Sequence, residues 1–136
     1  MGGPMGEVNP SYTLGSSIPV LRMLDEENSK RFYVGFLGYE IEWEHRFRDS
    51  PESPLYMQLR QGASVLHLNG HADQDAPTAE VRVPVRHLGA FCQTLRERSG
   101  NQVMDAVDPR NEGRSTDLNL YDPSGNLIVF WSPSDS

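Results

Sequence analysis

The sequence predicts an α+β fold made of two units of element order β-α-β-β-β. Three observations carry that prediction. The stretch "YEIEWEHRF" alternates strictly, with the two-residue period of a strand. Apolar residues recur at helical spacing twice, at Phe32, Phe36 and Leu37 and again at Leu88, Phe91, Cys92 and Leu95. The same order of elements then restarts about 60 residues further on, as a repeat of elements and not of letters.

Residues 1–16, "MGGPMGEVNPSYTLGS", are rich in Gly and Pro, lack any period and read as a flexible lead. One domain is expected over residues 17–136, with modules at about 17–71 and 79–132. "SIPVLRML" reads as a short strand. Asp25 looks like an N-cap for a helix over "EENSKRFYVGFLG", with Tyr33 beside its apolar side and Gly38 as the residue that ends it. In the next strand Ile41, Trp43, His45 and Phe47 are expected on one face, and Glu40, Glu42, Glu44 and Arg46 on the other. "LYMQLRQGASVLHLNGH" reads as a hairpin of strands 55–60 and 64–69 about a turn at Gln61-Gly62.

After the polar linker "ADQDAPTA", "EVRVPV" places Val81, Val83 and Val85 on one strand face. "RHLGAFCQTLRERSG" reads as a helix with a basic last turn followed by Gly100. A strand over "NQVMDAV" and a loop over "DPRNEGRS" follow. "TDLNLYD" and "NLIVFW" close the chain as a hairpin across "PSG", with Leu127, Val129 and Trp131 on one face and Ile128 and Phe130 on the other.

Composition excludes several functions. A net charge of −7 opposes nucleic-acid binding, which rests on neutralising phosphates, and favours neutral or cationic partners. No apolar run approaches the roughly 20 residues of a membrane helix, so no membrane partner is expected. The N-terminus lacks the basic and apolar parts of a secretory signal. The one cysteine, Cys92, allows no internal disulfide, which suits a reducing cytoplasm, and its place on a helical stripe reads as a buried thiol.

The histidines are His45, His67, His71 and His87. His67 and His71 stand four apart in an extended stretch, so they do not form the helical zinc pair. His87 reads as a surface residue and His45 as a hydrogen-bonded pocket or core histidine on the Trp43 face. Asp25, Glu26 and Glu27 favour the positive end of a helix dipole. No glycine loop of the phosphate-cradling kind is present.

The stretches "IPVLRMLDEENSKRFYVGFLGYEIEWEHRF", "SPLYMQLRQGASVLHLNGH" and "LNLYDPSGNLIVFW" resemble the vicinal oxygen chelate superfamily, which includes glyoxalase I, extradiol dioxygenases and bleomycin resistance proteins. They cover most of residues 18–131, and "WEHRF" with "LHLNGH" is most similar to the bleomycin resistance branch. The resemblance implies a curved, mostly antiparallel open sheet with helices on its outer face, a site on the concave side, and a homodimer. The family's metal-ligand positions match Ile18, His67, Glu80 and Val129 here, of which only His67 and Glu80 carry donors.

The resemblance therefore implies a non-enzymatic binder with no catalytic residue and no cofactor. Its ligand would be a small organic molecule, cationic and of bleomycin type, sequestered in a dimer groove. The lining expected is Trp43, His45, Phe47, Tyr56, His67, Glu80, Val129 and Trp131. Drug-binding members carry a Trp-Gly-x-x-x-Phe stretch before the Asp-Pro turn, where this chain has "NEGRSTDLNLYDP"; that departure points to a different, smaller ligand. The alternative is a metal-dependent lyase, isomerase or dioxygenase using His67, Glu80 and a third donor from His45 or His71.

Overall fold

Residues 11–99 and 117–133 are the ones the computed structural model describes. The strand expected over "NQVMDAV", the loop "DPRNEGRS", Gly100 and residues 1–10 of the expected lead lie outside them. The first module comprises β1 (Val20–Arg22), α1 (Glu26–Lys30), β2 (Glu40–Arg46), β3 (Leu55–Gln61) and β4 (Ser64–Asn69). The second shows β5 (Glu80–Pro84), α2 (Leu88–Ser99), β6 (Asp117–Tyr121) and β7 (Leu127–Trp131). The described strands form two sheets, one per module, ordered β1-β4-β3-β2 and β5-β7-β6. In each, one parallel pair (β1 with β4, β5 with β7) accompanies antiparallel neighbours. The α+β, mostly antiparallel class expected from the sequence is present, without a closed barrel.

Local chemistry explains the elements. The Asp25 carboxylate caps α1 by accepting from the Asn28 backbone N–H at 3.0 Å and the Asn28 side chain at 2.7 Å. The helix continues over Arg31–Phe36 as a wider π-helical turn, which the apolar spacing did not announce. Gly38, at φ +89°, reverses the chain, and the Tyr39 N–H closes on the Tyr33 carbonyl. The β3–β4 loop is Gly62-Ala63, one residue later than expected, because Gln61 pairs with Ser64 and Gly62 takes φ +60°.

The strict alternation of β2 is broken by a bulge between Ile41 and Trp43. Ile41 lies opposite Leu59, whereas Trp43 lies opposite Gln58 and His45 opposite Tyr56. Because Leu59 is buried and Gln58 is its neighbour, the bulge puts Ile41 on the core face and Trp43 and His45 on the other. This corrects the expected shared face. It also turns Glu44 and Arg46 towards α1, where they pair with Lys30 at 2.7 Å and Glu26 at 2.6 Å.

One apolar cluster serves both modules, from Leu21, Tyr33, Met57 and Leu68 to Cys92, Leu95, Leu118 and Ile128. α2 buries its expected stripe, and Phe91 meets Phe130 with ring centres 4.9 Å apart. The polar counterpart of this core is the turn "DPSGN". Buried Asp122 accepts from the Ser124 and Asn126 N–H groups, the Asn126 side chain and the Tyr33 hydroxyl, at 2.7–2.8 Å. Fully buried Asn126 donates to the Arg22 carbonyl and accepts from the Ala79 N–H, both at 2.9 Å. Ser124 accepts from the Leu24 N–H, and Arg22 donates to the Ser124, Gln74 and Ala76 carbonyls. A single turn of the second module thus fastens β1, the π-helical turn and the inter-module linker.

Burial first, and the Asp122 charge second, push the Tyr33 hydroxyl far above its usual value of 10.0. Burial likewise raises Tyr39. The folded chain keeps these protons where the unfolded chain releases them, so their contribution is intact below about pH 10 and is lost above it. Tyr33→Phe is predicted to cost about 1–2 kcal/mol at pH 7 and Asp122→Ala about 3–5 kcal/mol, the latter leaving four donors unpaired. Urea unfolding measures both, and the fall in stability between pH 10 and pH 11 is expected to be shallower in Tyr33→Phe.

Candidate functional site

Leu55, Met57 and Leu59 of β3 are buried in the core, so Tyr56, Gln58 and Arg60 project from the opposite, open face of the first sheet. Cross-strand pairing sets His67 and Trp43 on either side of Gln58, and Val20 beside His67. The bulge adds Glu42 to this face. These residues form one hydrogen-bonded chain. Tyr56 Oη meets His67 Nδ1 at 2.9 Å, His67 Nε2 meets Gln58 Oε1 at 2.8 Å, and Gln58 Nε2 donates to Glu42 Oε1 at 2.8 Å. Arg60 Nε closes the chain on Glu42 Oε2 at 2.8 Å.

The carboxylate at one end fixes the direction of the whole chain. An ionised Glu42 only accepts, so the Gln58 amide presents its NH₂ there and its oxygen to His67. Neutral His67 then carries its proton on Nε2 and accepts the Tyr56 hydroxyl at Nδ1. Hydrogen bonds from Gln58 first, then Arg60, hold the Glu42 carboxyl below its ordinary 4.5. Burial raises the Tyr56 phenol, which favours its role as a donor. Trp43 lies nearly parallel to Tyr56 (11°, ring centres 6.1 Å apart) and edge-on to His67 at 5.4 Å. It remains 42% exposed, which leaves an aromatic platform open to solvent.

On the second sheet Val129 and Trp131 share the face opposite Ile128 and Phe130. Val129 pairs with Arg82 and Asn119, and Trp131 with Pro84 and Asp117. The Arg82 guanidinium sits 5.8 Å from the Trp131 ring centre and 3.7 Å from the Asp117 carboxylate. Val129 is buried at 3% exposure, Glu80 is exposed, and Trp131 is half-buried.

The eight residues expected to line one site therefore fall into two groups. Trp43, His45, Tyr56 and His67 share the open face of the first sheet. His45 is exposed at its margin, and Phe47, just past β2 and 62% exposed, meets His71 edge-on at 5.6 Å. Glu80, Val129 and Trp131 belong to the other sheet. The sequence reasoning missed Gln58, Arg60, Glu42 and Arg82. The first two alternate with Tyr56 in "LYMQLR" and were findable; Glu42 was hidden by the bulge.

A divalent ion needs three or four convergent donors. Of the four candidate positions, Ile18 and Val129 offer alkyl groups, and Glu80 stands on a different sheet from His67. Both ring nitrogens of His67 are already engaged. Among the described residues no group of three His, Cys, Asp or Glu could hold a metal ion. The described donors do not fit a metal centre. Nor is any described helix long and apolar enough to cross a membrane.

The family model described as "Glyoxalase superfamily protein" matches residues 5–136. No curated protein matches the chain. Among solved structures, TnmS3, an antibiotic binding protein from Streptomyces sp. CB03234, is 20% identical, with 90% of this chain and 100% of that one covered and a TM-score of 0.60. A bleomycin-binding protein from bleomycin-producing Streptomyces verticillus, solved with copper(II)-bleomycin, is 18% identical over 90% and 98% of the two chains, with a TM-score of 0.61. A glyoxalase family protein from Bacillus anthracis is 19% identical over 91% and 98%, also at 0.61. At these identities the likeness is one of fold.

The Glu42 carboxyl should titrate below 4.5 in wild type and return towards that value in Gln58→Leu, with a smaller return in Arg60→Gln. Carbon-13 NMR of the side-chain carboxyls measures this. Equal midpoints in wild type and Gln58→Leu would show that the chain does not form.

Proposed function

We propose, because the chain belongs to the glyoxalase superfamily and carries an aromatic, hydrogen-bonded open face, that it binds a small organic molecule there and holds it without chemical change. One observation carries this reading: the chain from Tyr56 to Arg60 occupies both His67 nitrogens and leaves Trp43 exposed. A metal ligand needs a lone pair free of other bonds, and both His67 nitrogens are taken up by Tyr56 and Gln58. An exposed indole stacked beside a phenol offers area and a π-face to a planar ligand. The net charge of −7 favours ligands with a positive group.

Support comes from neighbours of like fold, one a bleomycin-binding protein and one an antibiotic binding protein. The open faces carry exposed Trp43, Phe47 and Tyr121, more aromatic surface than a solitary site needs. In our reading a second copy covers them, so that a homodimer encloses the ligand between first-sheet and second-sheet faces. Glu80, Val129 and Trp131 then line the same groove as Trp43 and His67. The cytoplasm is the compartment proposed, given one buried, unpaired cysteine.

Metal-free bleomycin is the probe for this proposal. Saturable quenching of tryptophan emission at roughly micromolar drug is expected, weakened at least tenfold in Trp43→Ala. Sedimentation should show a dimer under the same conditions. The reading fails if purified protein carries one equivalent of a transition metal that His67→Ala removes. It fails equally if quenching persists unchanged in Trp43→Ala.

A further inference from the structure

A cleft of about 560 Å³ runs between the two modules, along β5 from Val81 to Arg86 and past the Gly62–Leu66 end of the β3–β4 hairpin. It follows the β5 edge of the second sheet, taking in Phe91 and Phe130 from the helix side and Val65 and Arg82 from the other. Leu66 lines it, and its neighbour His67 points to the opposite face. Trp43, Tyr56 and His67 are not among its lining residues, so the cleft is separate from their platform. Its volume lies within the roughly 300–1,000 Å³ of small-molecule pockets. Leu66, Val81, Val83, Phe91 and Phe130 give it an apolar interior.

Its charge is the reverse of the chain's. Among the described residues the lining contains Arg82 and Arg86 and no Asp or Glu, in a protein of net charge −7. Arg82 commits its guanidinium to Asp117 and Trp131. Arg86 is exposed and has no hydrogen bond or ion pair among the described residues. An uncommitted cation beside an apolar interior matches a ligand with a negative head and a greasy body.

The backbone argues for a small molecule over an added strand. The Ala79 carbonyl and the Val85 N–H bond to Leu127 and Trp131 of the β7 segment. Alternation along β5 then turns the Arg82 N–H to the free edge. Pro84 falls on that same edge and has no N–H, so a strand laid there would lack a donor. The Arg82 N–H remains as a donor for an anion.

We propose that this cleft is a second binding site, for a small amphipathic carboxylate or sulfonate. Its head would meet Arg86 and the Arg82 N–H, and its body would lie against Val83, Phe91 and Phe130.

The test uses the full chain and the fluorescent probe 8-anilinonaphthalene-1-sulfonate. One saturable site per chain is expected, competed by decanoate and not by decyltrimethylammonium. Arg86→Glu, an exposed change, should weaken the probe at least tenfold, while Trp43→Ala leaves it unchanged. The proposal is overturned if Arg86→Glu has no effect, if both competitors act alike, or if Trp43→Ala abolishes binding and so moves the probe to the open face. Probe binding that disappears as the chain self-associates would also overturn it, by assigning the cleft to a second copy.

Discussion

The carboxylate of Asp122 is the constraint on which the arrangement rests. A buried charge is tolerable only when its lone pairs are filled, and here four donors fill them, one from the other module. The two sheets share no backbone ladder among the described strands. Their relative placement depends instead on side chains: the common apolar cluster and the bonds radiating from Asp122, Ser124 and Asn126. The apolar cluster supplies most of the stabilisation but little direction. The turn supplies direction, because each hydrogen bond is satisfied in one geometry only.

Once the helix side of each sheet is buried, alternation dictates what the other side displays. On the first sheet that is Tyr56, Gln58 and Arg60 between His67 and Trp43. The bulge in β2 matters here, since it lets one strand serve two purposes. Ile41 reaches the core, Glu44 and Arg46 tie to α1, and Glu42 and Trp43 both reach the open face. Without the extra residue, Glu42 and Trp43 would point to opposite sides. The anchoring carboxylate and the aromatic platform would then be separated.

Much of the fold was legible in the sequence. Asp25 and Gly38 mark the helix ends because capping is local chemistry, complete within a few residues. The stripe Leu88, Cys92, Leu95 and the two faces of "LIVFW" follow from period alone. The π-helical turn was not legible, since it places Tyr33 against Asp122, a partner 89 residues away. The bulge was not legible either: "YEIEWEHRF" alternates without a break, and only pairing with β3 reveals the slip. Asp-Pro-Ser-Gly-Asn was recognisable as a turn, but its role as a clasp depends on residues in the other module. For the site, residue types were legible and their connectivity was not. His67 appeared as a weak metal donor, whereas its neighbours on β3 consume both its nitrogens.

We read His67 as a link in a hydrogen-bonded chain and not as a ligand waiting for an ion. Nitrogen-15 NMR of the imidazole ring at neutral pH tests it most directly, with one equivalent of zinc added at the end. A proton on Nε2, an accepting Nδ1 and a spectrum that zinc leaves unchanged are expected. A proton on Nδ1, or a ring nitrogen that shifts as zinc binds stoichiometrically, would contradict it.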